Sequence, residues 1–283
     1  MPRVKLFNLP VDQVDFKSAV LQCDRLIKIP GLKWTVTLNP EILLLAQKDS
    51  ELQTAIQKAN LVTADGMGLI WGLTYLATQK PTANFFLKWM RVLGSGIRFF
   101  FSHSYRKKVF PERVAGVDLV KVLFALAAKQ GYRIFLLGGQ KGVAETLKAK
   151  LEEKYPQIKI VGATKGFDLK VNRDRLVILN SDQELRVKHL IQKTNPHLLL
   201  VAFGPPKQER WIFQNQSALK GVKLAIGVGG TFDFLIGKAK RAPKFLQQIG
   251  LEWLWRLVVE PKRFKRMVTT LPRFIKLVAN QKH

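Results

Sequence analysis

The chain has 283 residues, 47% of them hydrophobic, with 47 Lys+Arg against 20 Asp+Glu and a formal charge of +27. That length and apolar content support a real core in one large domain or two small ones, and exclude disorder as a description of the whole. The charge excess calls for an anionic partner, whether nucleic acid, anionic lipid or a phosphorylated substrate. A single cysteine, Cys23, excludes an intrachain disulfide. It reads as a small core residue in a reducing compartment, not as a nucleophile. No uncharged apolar run reaches the ~18 residues of a spanning helix, and the N-terminus lacks the apolar centre of a signal peptide. A soluble or peripheral protein is the expectation.

Taken in chain order, strand-like and helix-like runs alternate. "VKLFNL" precedes a helical pattern from Asp15 to Ile29. "KWTVTLN" leads into a helix beginning near Pro40, and "LVTAD" into one beginning at Met67. "YRIFLLGG" precedes a helix from Gly142, and "IKIVGA", "HLLLVAF" and "KLAIGVGG" follow. Continuous apolar strands alternating with amphipathic helices predict an α/β protein whose mostly parallel sheet is covered on both faces.

Two segments depart from that rhythm. Residues 81–110 carry six bases and no acid. At about 100° per residue, Lys88, Arg91, Ser95 and Arg98 share one narrow arc, and apolar residues fill the remainder. This is the pattern of a helix lying in a membrane interface, although Gly94 and Gly96 weaken the helix by about 1 kcal/mol each. The second segment runs from Lys238 to the end, with twelve bases, two acids and interleaved Trp253, Trp255, Phe264 and Phe274.

In open α/β sheets, ligands sit outside the carboxyl ends of the strands. The polar turns that follow the apolar runs are therefore the candidate site. "VAFGPPKQERW" ends a strand at Phe203 and stiffens the next turn with Pro205 and Pro206. Lys207, Gln208 and Glu209 then either face a ligand or only solvate a helix start. "TLNPE" with Thr37 and Asn39, and "TADGMG" with Asp65, have the same two readings. Asp65 is either a general base or a helix N-cap. "LLGGQKG", with Gly138 and Gly139, allows close backbone approach to phosphate but lacks the G-x-G-x-x-G spacing. "GVGGTFDF" offers Gly230, Thr231 and Asp233 as either a hydroxyl-binding turn or a structural one. The sequence contains no Cys/His cluster, H-E-x-x-H, G-x-S-x-G, Walker lysine or Asp-x-Asp pair. Its histidines, at 103, 189, 197 and 283, are scattered, so proton transfer falls to a carboxylate.

In order along the chain, "LPVD", "TLNPE", "ADGMG", "ERVAGVDL", "LLGG", "VAFGPPKQERW", "GVGGTFDFLIGKAKRAP" and "GLEWLWRLVVEPKRFKR" resemble the WecG/TagA/CpsF glycosyltransferases from about Leu9 to Arg266, outside 81–110. The resemblance implies a Rossmann-like core over 1–240 and a helical, basic, membrane-associating appendage over 241–283. It implies inverting, metal-independent transfer, without a cofactor, from a UDP-sugar, often of the N-acetylmannosamine type. The acceptor would be a polyprenyl-diphosphate-linked sugar in cell-surface polysaccharide synthesis. The setting would be an anionic membrane surface on the inner face of the plasma membrane, with a homo-oligomer possible. On this resemblance Asp65 is the base; Thr37, Asn39, Arg113 and Gln208 belong to the sugar pocket; Arg256, Arg263 and Arg266 engage diphosphates. The basic aromatic insert at 81–110 is a departure from the family and suggests a second membrane contact. Two rivals stand beside this reading: a nucleic-acid-binding α/β protein, from charge alone, and an NAD(P) oxidoreductase, from the glycine turn at 138–142.

Overall fold

The structure, a computed structural model, describes residues 2–79, 82, 84–172, 175–243, 246–247, 251–259 and 264–281. The side chains of residues 253, 256, 257 and 264–267 lie outside that description. Asp15, predicted to open the first helix, caps α1 (Phe16–Lys28) by accepting from the Ser18 amide at 2.7 Å. Ala19, Cys23, Leu26 and Ile27 form its buried stripe at the helical period. Burial pushes the Cys23 thiol up to about 12, so it is a core residue as expected.

A six-stranded parallel sheet forms the body, in the order β4 (Leu61–Ala64), β3 (Lys33–Leu38), β10 (Leu224–Gly227), β9 (Leu198–Ala202), β5 (Arg133–Gly138), β6 (Lys159–Thr164). The central strands are wholly apolar because helices cover both faces. One face carries α2 (Pro40–Ala46), α3 (Ser50–Gln57), α4 (Met67–Thr78), α9 (Ser181–Thr194) and α10 (Lys207–Gln214). The other carries α1, α7 (Gly116–Gln130), α8 (Val143–Lys154) and the short α11 (Thr231–Leu235).

The chain leaves β5 for α8 on one face and β9 for α10 on the other, so these adjacent strands splay their exits and open a crevice. Gly138 closes β5 at φ +107, where a Cβ would stand 2.7 Å from the Ala202 carbonyl carbon. Only glycine lets the β5 and β9 ends come together there.

Two features differ from the predicted rhythm. The opening strand does not join the parallel sheet: β1 (Arg3–Leu6) and β2 (Leu9–Asp12) form an antiparallel hairpin. The buried Asp12 carboxylate ties this hairpin to the sheet edge, accepting from Arg3 and from the Val62 amide of β4 at 2.7 Å. A second hairpin, β7 (Leu169–Asn172) with β8 (Arg175–Ile178), interrupts the return from β6.

Residues 85–101 form one continuous helix, α5 (Phe85–Phe101), followed by α6 (His103–Arg106). Its polar stripe faces the protein. Ser95 is buried, with its hydroxyl 3.1 Å from both Trp71 Nε1 and the Tyr105 hydroxyl. Beyond α12 (Glu252–Val259), α13 (Phe264–Ala279) packs on α2, α4 and α5. Gly72 of α4 makes room for it: a Cβ there would meet the Phe274 ring at 2.8 Å. Phe274 and Val278 thus belong to the same core as α4.

Candidate active site

The loops named in the sequence leave the carboxyl ends of β3, β4, β5, β9 and β10 and so gather on one rim. On the β3–β4 side, Asn39 caps α2, accepting from the Glu41 and Ile42 amides at 3.0 Å each. Asp65 follows β4, its amide donating to the Leu38 carbonyl at 2.7 Å. It does not cap α4: Gly66 stands at that position and no side chain caps the helix. Instead Asp65 Oδ2 accepts from the Gly116 amide, the first residue of α7, at 3.3 Å. The carboxylate therefore sits beside the N-terminal ends of both α4 and α7. A Cβ on Gly116 would lie 3.3 Å from Thr37 and 3.4 Å from Asp65 Oδ2, which places all three together.

Charges from the C-terminal segment close over this corner. Arg113 Nη1 pairs with Glu252 of α12 at 3.0 Å, and both side chains are largely buried. Arg241 grips Asp118 of α7 by donating from both terminal guanidinium nitrogens, Nη1 and Nη2. Burial alone would push the Asp118 carboxyl up; the hydrogen bond and charge of Arg241, with smaller help from Lys121 and Arg113, bring it below its usual range. Arg241 is held above its own usual value, chiefly by the Asp118 hydrogen bond against the effect of burial, with the charges of Asp118, Glu252 and Asp65 adding. The strings "ERVAGVDL" and "GKAKRAP" each supply one end of the Asp118–Arg241 pair; nothing in either string says they meet. Arg263 lies outside the described residues, as do the side chains of Arg256 and Arg266.

At the β5/β9 exits lies a cavity of about 710 Å³. Gly139, Gly230 and Asp233 line it, while Thr231 is buried beneath the turn. Four lysines border it: Lys141 after β5, Lys165 after β6, Lys170 on β7 and Lys207 opening α10. Lys165 enters from the β6 exit, and Lys170 is brought in by the β7–β8 hairpin, which the sequence did not predict.

Of the polar residues after Pro206, only Lys207 lines the crevice. Gln208 is buried, and its Oε1 accepts from the amides of Gly204 at 3.1 Å and Gly229 at 2.9 Å. That one side chain clamps the β9 exit to the β10 exit. Its Nε2 donates to Glu209 Oε1 at 2.7 Å. Glu209 is buried, and desolvation pushes its carboxyl up to about 7. Arg210 is fully buried and pairs with Asp49 and, at 3.6 Å, with Glu51 at the start of α3. Trp211 donates to Glu184 of α9 at 2.9 Å and stacks edgewise on Phe203. The charged run after the β9 strand is thus mostly internal scaffolding, and its first residue faces the crevice.

A doubly wound sheet with a cation-lined crevice at its switch point is the architecture of nucleotide-dependent α/β enzymes. The chain belongs to the glycosyl transferase WecG/TagA/CpsF family, whose pattern it matches over residues 4–102 and 92–283. The two matched pieces overlap at residues 92–102 and together cover residues 81–110, set apart above as an insert. The chain is 30% identical, over 84% of its length and 75% of the relative's, to N-acetylglucosaminyldiphosphoundecaprenol N-acetyl-beta-D-mannosaminyltransferase of Bacillus subtilis (strain 168).

Proposed function

We propose that the protein transfers a sugar of the N-acetylmannosamine type from UDP to a sugar carried on a polyprenyl diphosphate, with inversion and without a metal, in cell-surface polysaccharide synthesis. The observation that carries this reading is Asp65, held between two helix N-termini on the same rim as the lysine-bordered crevice. The family and the named activity of the Bacillus relative supply the chemistry.

The nucleotide diphosphate lies in the crevice among Lys141, Lys165, Lys170 and Lys207. Gly139, Gly230 and Asp233 face it, and Gly138 and Gln208 hold its walls together. The saccharide extends toward Thr37, Asn39 and Asp65. An acceptor hydroxyl attacks the anomeric carbon and its proton passes to Asp65. The bond from that carbon to the diphosphate oxygen breaks, and UDP departs with the electron pair. Lysines placed in advance around the growing negative charge lower the barrier without a metal. Arg256, Arg263 and Arg266 serve the diphosphates of donor or acceptor from the appendage. Arg113, already paired with Glu252, joins that appendage to the sugar corner. Among the described residues no helix is long and apolar enough to cross a membrane. A peripheral position on the inner face of the plasma membrane, held by basic charge on anionic lipid, brings the enzyme to its acceptor.

The test is a panel of UDP-sugars offered with a short-chain polyprenyl-diphosphate N-acetylglucosamine, scored by UDP release. One donor should give release that depends on the acceptor. No acceptor-dependent release with any donor would overturn the reading.

A further inference from the structure

Helix α5 is amphipathic in the reverse of the soluble sense. Val92, Ser95 and Phe99 are buried against the body, and the polar residues beside them are engaged there. Lys88 Nζ donates to Asn280 of the C-terminal segment at 3.0 Å, and the Arg98 guanidinium lies 5.1 Å from the Tyr105 ring centre. The opposite side is apolar and faces outward. Phe85 and Phe86 are each 74% exposed and Phe101 is 86% exposed. Trp89, Met90, Leu93, Ile97 and Phe100 are exposed between them. At about 100° per residue these eight side chains fall within an arc of about 160°. A contiguous patch of that kind on a water-facing helix marks an interaction surface.

Three features select the occupant. The 17 residues of α5 span about 25 Å, too short and too one-sided to cross a bilayer, but suited to lying in its interface. Residues 84–110 carry no acid; of their six bases Lys88, Arg91 and Arg98 belong to the stripe on the body side, and Lys107 and Lys108 are exposed just past the helix. A second protein chain would not require that one-signed border; anionic headgroups do. Finally, α5 packs on α13, which contacts α12, and these two helices expose Val268, Leu254 and Val258. Apolar side chains are therefore exposed on the basic C-terminal segment as well.

We propose that α5 is an in-plane membrane anchor, its Phe85–Phe101 face sunk into the acyl boundary of an anionic bilayer while its polar stripe binds the protein body. The proposal rests on the peripheral placement given above and names the element that achieves it. It also gives α4 a second role. This helix starts two residues after Asp65 and packs against α5, so the anchored surface and the reacting corner share one rigid element.

The test compares the full chain with the variant Phe86→Gln/Met90→Gln/Leu93→Gln/Ile97→Gln on mixed phosphatidylglycerol–phosphatidylcholine vesicles. All four positions are exposed, so the variant should keep its melting temperature and its turnover on a short-chain soluble acceptor. Its vesicle affinity should fall about a hundredfold or more. As a second readout, Leu93→Cys carries an environment-sensitive dye; the native Cys23 is buried and does not compete. The dye should shift to the blue on vesicles and be quenched by acyl-chain nitroxides. Equal vesicle affinity in the variant, or a dye that stays in water while the protein binds vesicles, overturns α5 as the anchor and leaves peripheral placement standing. A wild-type chain that binds no vesicles overturns both. A dimer that the four substitutions convert to monomer, with vesicle binding unchanged, assigns the face to a second copy and also overturns the proposal.

Discussion

Replacing Asp65 with alanine is expected to lower acceptor-dependent turnover by about 10²–10⁴-fold, the usual contribution of a positioned base. UDP affinity should stay within about twofold, because the nucleotide is gripped at the other end of the rim. The geometry gives this prediction its direction. Asp65 donates its backbone amide to the Leu38 carbonyl, and its carboxylate accepts from the Gly116 amide at 3.3 Å. It does not hold α4 in place, since Gly66 occupies the cap. Loss of the carboxylate should leave α4 capped as before. Turnover and UDP affinity measured on the same preparation test both expectations. Turnover equal to wild type would remove Asp65 from the mechanism.

Replacing Arg210 with alanine is expected to cost about 3–5 kcal/mol of stability, the range for breaking a buried ion pair by deleting one partner. The guanidinium is fully buried, and Asp49, also buried, is left with a carboxylate aimed at a void. Asp49 cannot simply turn away, because the same carboxylate caps α3 by accepting from the Leu52 amide at 2.8 Å. In a chain of this size the loss corresponds to a fall of roughly 10 °C in melting temperature. Asp49→Asn keeps a capping oxygen while removing the charge. Combined with Arg210→Ala it should therefore cost less than the sum of the two single changes. Calorimetry on the two single variants and the double one decides; strict additivity would deny the coupling.

The parallel sheet was legible because its strands are buried on both faces, and unbroken apolar runs such as "LLLVA" have few other uses. The rim was legible for the same reason: once strands run parallel, every polar exit after them lies on one edge. The two hairpins were missed because four-residue strands with a half-exposed face, such as "LKVN" and "RLVI", carry little pattern. The interior of "PKQERW" was unreadable locally. Gln208 is turned inward by amides at 204 and 229, and Arg210 by acids at 49 and 51. Those partners are distant in the chain, so the same hexamer on another body would be a solvated helix start. In α5 the wheel separated two sides but could not say which faced the protein. Trp71 and Tyr105, meeting at Ser95, decide that.

The central claim is that the nucleotide lies across the exits of β5, β9 and β10, on the rim that carries Asp65. Amide hydrogen exchange with and without saturating UDP tests this most directly. Slower exchange should appear in 138–143, 204–208 and 228–232, with no change along the outer face of α5. Protection confined to other segments, or none at saturating UDP, would contradict the account.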